Sequence, residues 1–433
     1  MARRLRDAYL GFVVVRPIPA SPLGRTVLAW YPDARAASLP RVVAPSREYA
    51  CHLGGMRLTV QGLAWQQQDT AVGACATIAL WSMLHSSALD GQHALPTTAS
   101  VTQSAHRTAP FGKRVFPNAG LNIQQLCEAI KEHGLSPVVI PGDIVRAGEG
   151  GAHQPRFSRE RFAASCAAMI RSGYPTLVLG DLAGGGHATC AVGFRSAAPP
   201  LALQGTVVHH DADIPYFYIH DDNLGPSVRF SISVDQDGAV NLKPDAPARV
   251  ATTSTSDPTL TYPALIPGHL VVAVPDDLRT SPDALNVAGL DAAMKMSRLF
   301  DATAKQTGAA LPGLTMSSRF SRLRDYLSRD LEQGHLRQRY ESPGVRLCRV
   351  HVGPRPRAAS DDRRWRAPPD KLHRRLVTRK ATGQEPCERS TATSTAGRAR
   401  AGRRGGGAGP RGARPRSAGR WGSRGPGGRR ARR

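Results

Sequence analysis

Residues 66–85, QQQDTAVGACATIALWSMLH, turn from a polar, glycine-containing segment into an apolar run, and Cys75 stands at the change. From Cys75 onward no Gly or Pro interrupts the run. Ile78, Trp81 or Ser82, and His85 recur at helical spacing, which predicts a helix opening near Cys75. A thiol at a helix N-terminus meets free backbone N–H groups and the positive end of the helix dipole, both of which favour the thiolate. That position suits attack as well as packing, and the rest of the chain has to decide between them.

Attack on a carbonyl requires a base, a group to orient the base, and donors facing the developing oxyanion. The base candidate is His187 in LVLGDLAGGGHATCAVGF (177–194), which follows three glycines that let backbone and substrate approach closely and begins an apolar strand. For its orienting partner, YFYIHDDNLGPS (216–227) ends an aromatic strand in Asp221, Asp222 and Asn223, ranked in that order. The Cys75 backbone N–H and an upstream side-chain amide fit the oxyanion; Gln68 is the nearest of Gln66, Gln67 and Gln68.

Around these residues helices and adjacent strands alternate. Asn122 caps IQQLCEAIKEHGL, whose apolar stripe ends at Gly134, and the strand SPVVI follows. SRERFAASCAAMIRSG (158–173) repeats the helix pattern with Gly173 as its stop. PTLVLGDL, HATCAVGF and PYFYIHDD then read as strands, the first two joined by AGGG. Residues 8–15 predict a buried strand, 231–260 look loop-like, and 265–275 predict a returning strand. Helices are expected within 283–306 and 320–333, and 344–352 predict a last strand. The fold class is α+β.

Charge divides the 433 residues unevenly. Residues 353–433 hold 24 Lys and Arg against 5 Asp and Glu, a net +19 of the whole-chain +25, while the preceding 352 residues carry only +6. The body is therefore not read as a nucleic-acid-binding domain. The Arg-, Gly- and Pro-rich tail is expected to be disordered and capable at most of weak, nonspecific, salt-dependent nucleic-acid contact. Seven cysteines without a CxxC pair form neither a disulfide framework nor a zinc ladder, so a reducing, cytoplasmic setting is expected. No apolar run is long enough to span a bilayer. His209, His210 and Asp211 invite a metal reading, but with no ligand pattern elsewhere a solvated loop is the stronger one. Cys127, Cys166 and Cys190 lie on apolar faces and read as core.

The order Gln68, Cys75 at a helix start, SGYPTLVLG before His187, and Asp221 after a strand resembles the papain-like cysteine peptidases, particularly the bacterial peptidase family C39 and its C39-like relatives. The resemblance covers roughly residues 60–230. It implies a papain-like fold, with the nucleophile at a helix N-terminus and His and Asp on an antiparallel sheet. It also implies a thiol-dependent hydrolase of peptide or amide bonds acting through Cys75, His187 and Asp221, with Gln68 at the oxyanion and no cofactor. Residues 1–59 are then an N-terminal extension packed on the core, 60–230 the catalytic domain, 231–352 a C-terminal α/β extension or subdomain, or the part that completes the domain, and 353–433 the tail. Ala76 stands where such families have glycine, Asp69 where they have the glutamine, and Asp222 where a proline follows the aspartate. Ala76 and the shifted glutamine favour the alternative of a catalytically inactive peptide-binding protein; tethering to nucleic acid by the tail is the third reading.

Overall fold

The chain opens with short local pairings. A helical turn and a half, α1 (Ala2–Asp7), precedes the antiparallel pair β1 (Gly11–Val15) and β2 (Leu23–Leu28). Strand β3 (Arg41–Val43) and the hairpin β4 (Arg47–Leu53) and β5 (Met56–Gly62) follow, the hairpin turning at Gly54 and Gly55, both with positive φ. The computed structural model describes residues 2–31, 39–69, 73–90, 94–107, 120–147, 153–196, 207–245, 262–278, 280–308, 314–322 and 346–354. All of them belong to one unit, 1–379. The basic tail, beyond its first two residues, lies outside them.

Helix α2 (Cys75–Leu84) begins at Cys75, and every residue from Ala76 to Leu84 is buried. A helix apolar all round can only be internal. It is surrounded by α3 (Thr98–Ala105) and α4 (Ile123–Glu132) and packs on the sheet. Asn122 and Gln125 form a reciprocal capping box at the start of α4, and Gly134 leaves that helix with positive φ, as the sequence predicts.

Strand β6 (Ser136–Pro141), the pair β7 (Ile144–Ala147) and β8 (His153–Arg156), and helix α5 (Arg159–Arg171) come next. They are followed by β9 (Thr176–Leu182), β10 (Gly185–Arg195), β11 (Val207–His209), β12 (Tyr216–Asp221), β13 (Gly225–Val234), β14 (Val240–Pro244) and β15 (Leu265–Val274). Helix α6 (Pro282–Thr307), capped by Ser281 and ended by Gly308, leads to β16 (Leu314–Arg322) and β17 (Arg346–Pro354).

The main sheet runs β12–β13–β14–β15–β9–β10–β3, with β6 added on β15, and its pairings are antiparallel. Because β12 also pairs with β10, six of these strands close into a ring. Five residue pairs join β13 to β14, whereas Leu242↔Leu265 alone joins β14 to β15. Two apolar clusters flank the sheet. One gathers α2, α3 and α4 with Cys190, Val192 and Val272. The other joins Phe162, Cys166 and Ile170 of α5 to Ala191, Phe217, Phe230 and Leu270. Cover on both sides explains why 188–194 and 270–274 are continuous apolar runs rather than alternating ones.

Several expectations need correction. β1 is a strand, but Val13, Val14 and Val15 are exposed, because it pairs only with β2 at the margin. Residues 231–244 are largely β13 and β14, not loop; Ile232, Val240 and Leu242 face a core. Residues 320–322 end β16, paired to β17, where a helix was expected to start. Strands β13, β14 and β15 supply half of the six-stranded ring.

Candidate active site

The hairpin β9–β10 turns on Ala183 and Gly184, both with positive φ, and Asp181 Oδ1 accepts the Gly184 N–H at 2.8 Å. The turn starts β10 at Gly185, so His187 sits two residues into the strand, beyond the stretch paired to β12. There it meets the end of β12. His187 Nε2 lies 3.0 Å from Asp221 Oδ2 and 3.7 Å from Asp222 Oδ1. The three side chains are buried: 8 % of His187 is exposed, none of Asp221 and 3 % of Asp222.

Asp221 is held from all sides. Its Oδ1 accepts the backbone N–H groups of Asn223 (2.9 Å) and Leu224 (3.1 Å), the local turn that short acidic side chains favour. Its Oδ2 accepts the Tyr262 hydroxyl at 2.8 Å, and its main-chain oxygen accepts the Trp65 indole N–H at 2.8 Å. Asp222 is the opposite case: among the described residues neither of its carboxylate oxygens accepts a hydrogen bond.

Burial pulls the proton affinity of His187 down, but the hydrogen bonds to Asp221 and to the Cys75 side chain, with the charges of Asp221 and Asp222, outweigh it, and its pKa stands well above the ordinary value. Burial pushes Asp222 up to about 7, with His187 opposing and Asp221 adding to the rise. Burial and then Asp221 raise the Tyr262 phenol, so it stays a donor. His220, adjacent in sequence, is neutral: burial lowers it to about 3.

Cys75 is half-buried at the first position of α2, where Ala74 supplies no side-chain cap. The first backbone N–H groups of that helix are therefore not taken by a capping side chain. The tight cluster of ligand-type atoms, all within 4.8 Å, is His187, Asp221 and Asp222, and Cys75 stands outside it. Gln68 comes to the same region, its Nε2 donating to Asn223 Oδ1 at 2.8 Å. Gln67 does not, since its Oε1 accepts the Leu23 N–H on β2. Tyr262 and Trp65 complete the Asp221 environment and carry no local signal in the sequence: each is a lone aromatic without a motif.

The polar cluster at 209–211 is no solvated loop. Asp211 is fully buried and ion-paired with Arg171, and burial, ahead of the opposing pull of Asp211, lowers the pKa of His209. Cys166 and Cys190 are fully buried core thiols and Cys127 is half-buried; these three, with Cys51 and Cys75, are free. Among the described residues no helix is long and apolar enough to cross a membrane. What the site amounts to is a mixed α+β architecture with a cysteine opening an internal helix beside a buried His–Asp–Asp cluster. No protein-family model matches the chain, and no curated protein matches it.

Proposed function

We propose that the chain is a thiol-dependent hydrolase of peptide or amide bonds, of papain-like type. What supports the reading is the buried His187–Asp221 hydrogen bond, with the Cys75 side chain at the start of α2 among the groups that raise the His187 proton affinity. With its proton affinity raised, His187 takes the thiol proton and Asp221 fixes the ring. The Cys75 sulfur attacks the carbonyl carbon, and the C=O electron pair moves to oxygen. The resulting oxyanion meets the uncapped N–H groups of α2, with the Gln68 amide beside them. His187 then returns its proton to the amine nitrogen as the C–N bond breaks. Water, deprotonated by His187, releases the acyl group and restores the thiol. The substrate is a peptide or protein, and the mechanism needs no cofactor.

A second reading has its own observation: the Gln68 amide is engaged by Asn223 rather than left unpartnered for an oxyanion. On that reading the site holds a peptide without cleaving it. Iodoacetamide alkylation of the full-length protein, followed by intact mass and peptide mapping from pH 5 to 9, separates the two. The hydrolase reading expects fast labelling at Cys75 that persists below pH 7 and slows about a hundredfold in His187→Ala, the lower end of what a positioned base contributes. Slow labelling with an ordinary thiol profile, unchanged in His187→Ala, overturns it.

A further inference from the structure

We infer that His187, Asp221 and Asp222 form a binding site for a divalent cation of the zinc class. The starting point is the carboxylate of Asp222. It is 97 % buried, both its oxygens lack a hydrogen-bond partner among the described residues, and Oδ1 faces His187 Nε2 at 3.7 Å. A buried carboxylate without partners costs several kcal/mol, on the order of what desolvating an unpaired ion requires. Here two carboxylates share one histidine: among the described residues His187 is the cationic partner of both. A neutral imidazole, two carboxylates and a doubly charged ion make a site with no net charge.

The spacing fits. Ligands about 2.0–2.1 Å from a tetrahedral ion stand about 3.3 Å apart, and the measured separations from His187 Nε2 are 3.0 Å to Asp221 and 3.7 Å to Asp222. The surrounding shell is also in place. The Tyr262 hydroxyl and the Asn223 and Leu224 N–H groups already orient Asp221, which is how outer partners commonly fix a ligating carboxylate. An imidazole nitrogen in the set favours zinc over magnesium or calcium. Binding forms three coordinate bonds, from His187 Nε2 and one oxygen of each carboxylate, and any proton held on Nε2 or on the Asp222 carboxyl leaves to water. An ion here occupies the nitrogen that Asp221 orients and ties the ring down, so it silences the thiol chemistry. That consequence rests on the hydrolase reading, whereas the site itself does not.

Zn2+ titration against a chromophoric chelator, with the full-length wild type, Cys75→Ala and Asp222→Asn, tests the site. The expected result is one ion bound by the wild type, affinity kept within about threefold in Cys75→Ala, and at least a tenfold loss in Asp222→Asn. Co2+ bound to the wild type should lack a thiolate charge-transfer band, a readout independent of how well Asp222→Asn folds. Wild-type affinity in Asp222→Asn, loss of binding in Cys75→Ala, or a thiolate band overturns the proposal. Because Cys75→Ala cannot be alkylated yet should bind zinc, failure of the site and failure of the hydrolase reading are distinguishable.

Discussion

The indole N–H of Trp65 donates to the main-chain oxygen of Asp221 at 2.8 Å, across 156 residues of chain. Together with the Gln68–Asn223 bond at 2.8 Å, it fastens the segment leading to Cys75 onto the end of the strand that carries the acid. Trp65→Phe removes the donor and leaves a buried carbonyl short of a partner, a loss of about 1–3 kcal/mol. Urea unfolding should show that loss, and Cys75 alkylation at pH 6 should slow with it. An unchanged midpoint would mean the staple contributes nothing.

Asp221→Asn keeps the shape of the site and removes the charge that holds the His187 proton against burial. A charge-assisted hydrogen bond is worth about 1.5–3 kcal/mol, so alkylation of Cys75 at pH 6 should fall about ten- to hundredfold. Stopped-time labelling with mass readout measures it, and near neutral to alkaline pH the two proteins should converge.

His220 supplies a pH test apart from the thiol. Its folded pKa, about 3, lies below the unfolded value of about 6.5, so the unfolded chain binds the extra proton. The stability from this group is full above pH 6.5 and declines as pH falls toward 3, by up to about 1.4 kcal/mol per pH unit. His187 and Asp222, both raised, act in the opposite sense. The difference between wild type and His220→Phe isolates the limb: flat above pH 6.5, shrinking below it.

Ala183 occupies the left-handed region at φ 54°, in the first position of a two-residue hairpin turn completed by Gly184. Non-glycine residues there cost about 1–2 kcal/mol, and Asn tolerates the region best. Ala183→Asn should raise the thermal midpoint by a stabilisation of about 0.5–1 kcal/mol, with Cys75 labelling unchanged.

Cys166 and Cys190 have thiol pKa values pushed up by complete burial. Neither should react with iodoacetamide in the native protein on the timescale that labels Cys75, and both should react in urea. Native labelling at either position would mean that the core opens locally there.

What was legible in the sequence was what chain-local chemistry determines. The helix at Cys75, the Asn122 cap, the glycine turn before His187 and the strand ending at Asp221 each carry their cause within a few residues. Tyr262 and Trp65 were not legible, because their roles come from contacts 41 and 156 residues away. The β16 segment shows the same limit in reverse: its last residues, 320–322, read as the start of a helix, and pairing with β17 makes them strand. Asp222 was ranked behind Asp221 as an alternative, whereas both carboxylates reach His187, Asp222 from just past the end of β12.

The single pair Leu242↔Leu265 that shuts the ring lies three residues beyond Tyr262. A ladder with one rung is the part of the ring that unzips at least expense, so slow breathing of the molecule should concentrate there. Each such excursion carries off the hydroxyl that donates to Asp221. Faster hydrogen exchange in β14 than in β9 would reveal it. The readiness of the His187 ring then becomes a property of a distant closure, acquired last as the chain folds and lost first as it loosens.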